Sequence, residues 1–310
     1  MTLPPRAAER GRGTAFARTA LAGNPSDGYG GAVLATTFAN FSASAEAQPG
    51  AMLSVEPPSP LLRATVRRFA RVVEPEAAHT QIRWQQAIPR EVGLGSSSGL
   101  VIATLRALAE LHGRHLPTEE LAELAHAIER EDLEVPGGRQ DQVVQSHEGL
   151  VLMEFGEHPG IEALDPGLLP PLLIAYRDDA AQHSGEVHAP LRARFEADAP
   201  RVRGVLHELA ALARQARDAL VARDVERFAA TVDASFDARA AIMALDPRHV
   251  AMVQAARAAG AAANYSGSGG AIVCVCRDER HRRECDRALR SLACKTATLA
   301  LDGASEDRAR

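Results

Sequence analysis

The segment Pro89-Arg90-Glu91-Val92-Gly93-Leu94-Gly95-Ser96-Ser97-Ser98-Gly99 puts glycines and serines directly before an apolar-periodic run. That run, Leu100, Val101, Ala103, Thr104, Leu105, Leu108 and Leu111, predicts an amphipathic helix that Gly113 closes. Glycines let a backbone fold tightly around a ligand and present consecutive N–H groups. A helix N-terminus adds unsatisfied donors and partial positive charge. Together they make an anion site, most often a phosphate site. The same residues also fit a serine-rich N-cap on an ordinary helix. A third reading takes Gly95-Ser96-Ser97-Ser98-Gly99 as the Gly-x-Ser-x-Gly elbow of a serine hydrolase, with Ser97 as nucleophile. The elbow needs a strand that runs straight into its glycine. Here the strand expected over 82–88 ends at Pro89, and no His-Gly-Gly segment precedes it.

Two further blocks could carry chemistry. Gly137-Gly138-Arg139-Gln140-Asp141-Gln142 sets an acid just after a helix–loop break. Ala262-Ala263-Asn264-Tyr265-Ser266-Gly267-Ser268-Gly269-Gly270-Ala271 is a second glycine-rich turn, and it enters a strand.

Composition narrows the chemistry. Of 35 lysines and arginines, only Lys295 is a lysine, and it follows Cys294. A Walker A loop needs a lysine after its glycine, so a P-loop kinase is excluded. Any side-chain cation on phosphate must be an arginine, which suits bidentate contacts. A net charge of −5 and a single tryptophan, Trp84, argue against nucleic acid as partner. No apolar run approaches the roughly 20 residues of a membrane span. Residues 1–13 contain arginines but no following apolar core, so they are not read as a secretory signal; a cytoplasmic protein is expected. Cys274, Cys276, Cys285 and Cys294 fit no zinc spacing and read as buried thiols.

The elements that must position these blocks alternate in type. Strands are expected over 16–21, 32–47, 82–88, 150–155, 172–176, 271–276 and 296–301. Helices are expected over 61–73, the run after Gly99, 118–131, 188–197, 201–221, 224–244, 247–259 and 280–291. This is an α+β chain of two domains, over 14–175 and 176–302, with disordered ends at 1–13 and 303–310.

Read together and in order, the three blocks resemble the GHMP kinase superfamily of small-molecule kinases. The first is similar to its Pro-x3-Gly-Leu-Gly-Ser-Ser-Ala phosphate loop. Within the superfamily the glucuronokinase group is the most similar. Ala17-Arg18, Leu21-Ala22-Gly23-Asn24-Pro25-Ser26-Asp27, His183-Ser184-Gly185-x-Val187-His188 and Ser235-Phe236-Asp237-x-Arg239 carry that likeness. Ser98-Gly99, where the superfamily usually has alanine, and Glu134-Val135-Pro136 depart from the pattern, and Gln140-Asp141-Gln142 is shared with heptose-type kinases.

The resemblance implies a two-domain fold: an N-terminal domain like ribosomal protein S5 domain 2 and a ferredoxin-like C-terminal domain. It implies an ATP- and Mg²⁺-dependent sugar 1-kinase, with D-glucuronate as the leading acceptor and galacturonate, galactose or a heptose phosphate as alternatives. A sugar-binding protein without catalysis is a further alternative. Asp141 would be the base that takes the sugar hydroxyl proton, and Arg18 its cationic partner. Pro89, Gly93, Leu94, Gly95, Ser96, Ser97 and Ser98 would hold ATP. Ser97 and Glu129 would ligate Mg²⁺, with Glu131 as an alternative to Glu129. Asn24, Ser26 and Asp27 would hold sugar hydroxyls, and Arg192 with Arg194 would form the fork for a uronate carboxylate. Gly267, Ser268 and Gly269 would shape the wall beside the substrate. The expected partners are thus ATP and a small sugar acid; the sequence sets no oligomeric state.

Overall fold

The computed structural model describes residues 8–135, 137–180, 184–197 and 199–301, with backbone only at 180 and 184–188. It opens with two long antiparallel strands, β1 (Gly11–Ala22) and β2 (Ala32–Pro49). The short β3 (Ser54–Glu56) follows, then α1 (Pro60–Val72), β4 (Thr80–Gln86), α2 (Ser96–Leu111), α3 (Thr118–Ala127) and α4 (Gln140–His147). A hairpin of β5 (Leu150–Glu154) and β6 (Gly160–Leu164) completes the first unit. The sheet runs β3-β4-β2-β5-β6, with β1 on β2. β2 is long enough to serve two partners: its 43–49 half pairs with β4 and its 32–36 half with β5.

The expected disorder gives way at Gly11, where β1 already begins. Its small residues are there for packing. A Cβ on Gly11 or Gly13 would lie 2.0 Å from the carbonyl oxygens of Ala107 and Ala103 in α2. Glycine thus lets the helix press onto the strand, and α2 buries nearly its whole length.

The second sheet is antiparallel: β10 (Lys295–Thr298), β7 (Leu172–Tyr176), β9 (Ala271–Val275) and β8 (Ala262–Tyr265), in that order. Numbered from β7 this is 4-1-3-2, the ferredoxin-like order. Between β7 and β8 stand four helices, α5 (Ser184–Glu196), α6 (Pro200–Val221), α7 (Val225–Ala240) and α8 (Pro247–Ala258); α9 (Glu279–Arg290) precedes β10. β7 therefore belongs to the second sheet, not to the end of the first domain. β3, β6 and β8 were not expected from sequence; β8 lies within the stretch read as a glycine-rich turn. The four cysteines are buried free thiols. Among the described residues no helix is long and apolar enough to cross a membrane.

Candidate active site

Six segments meet at a cavity of about 620 Å³: β1 with the turn after it, the loop before α2, the end of α3 with the residues that follow it, the 137–142 segment, α7 at Arg239 and the loop between β8 and β9. Gly93 and Gly95 have φ of +75° and +74°, a region that side-chain-bearing residues resist, so glycine sets the loop's path. Gly95 is also the N-cap of α2, which aims the helix N-terminus at the cavity.

Arg18 ties the segments together. Its side chain is 4% exposed. Nε donates to Asp141 Oδ1 at 2.8 Å and Nη2 to Oδ2 at 2.5 Å, a bidentate pair. Nη1 donates to the carbonyls of Gly93 and Ser266 at 2.6 and 2.7 Å. One guanidinium thus joins the phosphate-type loop, the α4 acid and the β8–β9 loop. Asp141 stands on the first turn of α4, where the helix dipole favours a carboxylate, and its side chain is 28% exposed. The β8–β9 loop closes on the first loop without room for side chains: a Cβ on Gly267 would meet Gly93 O at 2.5 Å and Arg18 Nη1 at 2.8 Å.

Asp141 shares the cavity with four other carboxylates, Asp27, Glu91, Glu129 and Glu134. Glu129 is pushed up to about 7, first by burial, with the Asp141 charge adding to it; Ser97, beside it, works the other way. Its Oε2 accepts from Gln142 Nε2 at 2.5 Å, while the buried Oε1 has no partner. Asp27 is pushed up to about 6 by burial, against bonds from the Gln140 N–H and Nε2 at 3.2 and 3.1 Å. Glu131, the alternative to Glu129, turns out of the cavity and pairs with Arg68 at 2.5 Å.

Most of the residues singled out in the sequence line the cavity: Arg18, Asn24, Asp27, Gly93, Leu94, Gly95, Ser96, Ser97, Ser98, Glu129, Asp141, Gly267 and Ser268. Several are elsewhere or otherwise engaged. Pro89 and Gly269 do not line it; Gly269 turns its carbonyl towards Gly93. Ser26 is fully buried and donates to Ala32 O at 2.9 Å, a turn-closing bond. Ser98 donates to Gln145 Oε1 at 2.5 Å, so its hydroxyl is structural. The same amide explains Gly99: an alanine Cβ would come within 2.9 Å of Gln145 Nε2. Neither Arg192 nor Arg194 lines the cavity, and Arg194 donates to Ile242 O at 2.7 Å. His183 and the side chains of 184–188 lie outside the described residues. Gln140, Gln142, His126 and Arg239 line the cavity without having been assigned a role; Gln140 and Gln142 flank Asp141 in the pattern shared with heptose-type kinases, Arg239 ends the Ser235–Arg239 pattern, and His126 carried no signal.

Residues 61–149 match the GHMP kinases N terminal domain and residues 216–293 the GHMP kinases C terminal domain. The chain belongs to the GHMP kinase family. Glucuronokinase 1 of Arabidopsis thaliana is 29% identical over 84% of this chain and 83% of its own length. Probable glucuronokinase 2 of the same plant is 30% identical over the same shares. In three dimensions the chain superposes on Lactococcus lactis galactokinase, solved with galactose, at a TM-score of 0.79 and 14% identity, covering 96% of this chain and 94% of that one. The GHMP kinase fold accounts for both sheets and for the cavity between the loops that they carry.

Proposed function

We propose that this GHMP kinase is a sugar 1-kinase that transfers the γ-phosphoryl group of ATP to the anomeric hydroxyl of D-glucuronate. The observation that carries the reading is the bidentate Arg18–Asp141 pair, its arginine buried, at the mouth of a glycine loop and helix N-terminus. The glucuronokinase relatives supply the acceptor.

Phosphoryl transfer is mostly positioning and charge stabilisation. In this reading the N–H groups of 93–97 and the start of α2 cradle the phosphates. Asp141 accepts the anomeric proton while Arg18 fixes its carboxylate by two bonds. Asp27, Asn24 and the unpartnered Oε1 atoms of Gln140 and Gln142 offer acceptors to sugar hydroxyls. The donor set fits Mg²⁺: Glu129 has an orphaned buried oxygen, Ser97 stands beside it, and both are hard oxygen ligands. Among the described residues no three His, Cys, Asp or Glu side chains form a ready cage, which suits an ion that keeps its waters and takes phosphates. Bound there, Mg²⁺ would neutralise charge on the β- and γ-oxygens.

An acceptor panel tests the reading. With Mg-ATP the protein should release ADP on D-glucuronate. Turnover of galactose or a heptose phosphate, with none on glucuronate, would keep the kinase and refute the acceptor. Ser97 should resist a fluorophosphonate probe; labelling there would favour a hydrolase.

A further inference from the structure

Among the described residues Arg239 has no carboxylate as an ion-pair partner. It is the largest of the fully buried side chains, at 0% exposure, and it forms part of the cavity wall. Its Nη1 donates to Gly267 O at 2.7 Å and its Nη2 reaches Ser268 O at 3.4 Å. Its Cζ lies 5.0 Å from the centroid of the Tyr265 ring. Its Nε has no acceptor, and among the described residues no carboxylate forms an ion pair with it. Burial pulls the group down to about 10, against the pull of Tyr265 and Asp27. A buried cation normally has an anionic partner, because two backbone carbonyls do not replace the water it has lost.

The rest of the cavity shows what that partner would be. Asp27, Glu91, Glu129, Glu134 and Asp141 make the wall acidic. Arg18, the other arginine on it, is already committed to Asp141 and two carbonyls. The loop at 93–99 and the α2 N-terminus provide for the phosphates. A neutral sugar would need no further cation, whereas a sugar acid would meet five carboxylates and, among the described residues, no uncommitted arginine or lysine except Arg239. Arg239 also sits on the acceptor's side. It stacks on Tyr265, whose carbonyl accepts from Asn24 at 3.2 Å, and its field couples to Asp27.

We propose that Arg239 is the specificity-determining residue for an anionic acceptor: its buried charge, at the Gly267–Ser268 wall, selects a sugar bearing a carboxylate over its neutral counterpart. This rests on the uronate reading given above. It replaces the Arg192–Arg194 fork, because neither of those side chains lines the cavity.

The test compares D-glucuronate with D-glucuronamide, which differ in that one charge. Calorimetry with a non-hydrolysable ATP analogue and Mg²⁺ gives both affinities. Wild type should prefer the acid. Arg239→Met should weaken glucuronate binding about 30-fold or more, the usual loss when a buried charge partner is removed, and shift the amide and the ATP analogue by less than threefold. Arg239→Lys should restore part of the preference. Equal losses for acid and amide, or a loss confined to the ATP analogue, would overturn the assignment. If the variants do not fold, a crystal structure of the wild-type glucuronate complex decides. The carboxylate should face the Gly267–Ser268 wall with Arg239 as its nearest unpaired cation; a carboxylate turned to solvent or held by Arg18 overturns it. Failure of the underlying uronate reading would show separately, as a wild type that does not prefer the acid.

Discussion

Glu129→Gln should make the unliganded protein more stable and the enzyme inactive. The wild-type carboxyl is lifted from 4.5 to about 7, so the folded state holds a proton that the unfolded state releases. Stability from this group is full below pH 4.5 and is lost as pH rises through about 7. Over that interval the loss is about 3 kcal/mol, at ~1.4 kcal/mol per pKa unit; partial exposure of the residue to the cavity makes this a ceiling. Glutamine keeps an oxygen for Gln142 Nε2 and ends the repulsion with Asp141. Denaturant titrations at pH 5 and pH 8.5 would measure the difference between variant and wild type. Asp27 titrates in both proteins and cancels. The variant should gain little at pH 5 and up to about 3 kcal/mol at pH 8.5, a melting rise of roughly 2–4 °C per kcal/mol. A difference that is equal at the two pH values, or a variant less stable at pH 8.5, would refute the view of Glu129 as a strained carboxylate awaiting a cation.

The site makes other predictions. Binding of preformed Mg-ATP should release more protons near pH 7 from wild type than from Glu129→Gln, because ligation needs the ionised carboxylate; calorimetry in two buffers reads the difference. Gly267→Ala forces the β8–β9 loop off Gly93 and Arg18. It should cost about 10²-fold in kcat/KM, since a displacement near 1 Å misaligns the reacting groups; a change below threefold would show that the loop is slack. Arg194→Ala should leave the glucuronate KM within about twofold while costing ~1–2 kcal/mol for the lost bond to Ile242. A tenfold rise in KM would return Arg194 to the acceptor site.

Much of the site was legible because its chemistry is local in sequence. The glycine–serine loop, the acid after a helix break and the second glycine turn are each contiguous, and Arg18 lies on a strand end that the same motifs flank. What was hidden depends on neighbours distant in the chain. Ser98 and Gly99 answer to Gln145, which approaches from α4. Gly11 and Gly13 fall in the stretch read as disordered because their partner is the α2 backbone. β3 and β8 are short, and β6 is an exposed edge strand with little apolar alternation to announce it. The arginine pair on α5 matched the family pattern in sequence, yet the fold carries neither side chain to the cavity wall. Arg239 was visible only as part of a pattern, since nothing in a helix sequence shows that an arginine is wholly buried without a carboxylate.

The most direct test of the whole account is phosphorus NMR of the product formed from ATP, Mg²⁺ and D-glucuronate by wild type and by Asp141→Asn. Wild type should give an anomeric sugar phosphate together with ADP. The variant should bind ATP and give no product above background. A phosphate on another hydroxyl, or undiminished turnover by Asp141→Asn, would contradict the assignment of Asp141 as the base.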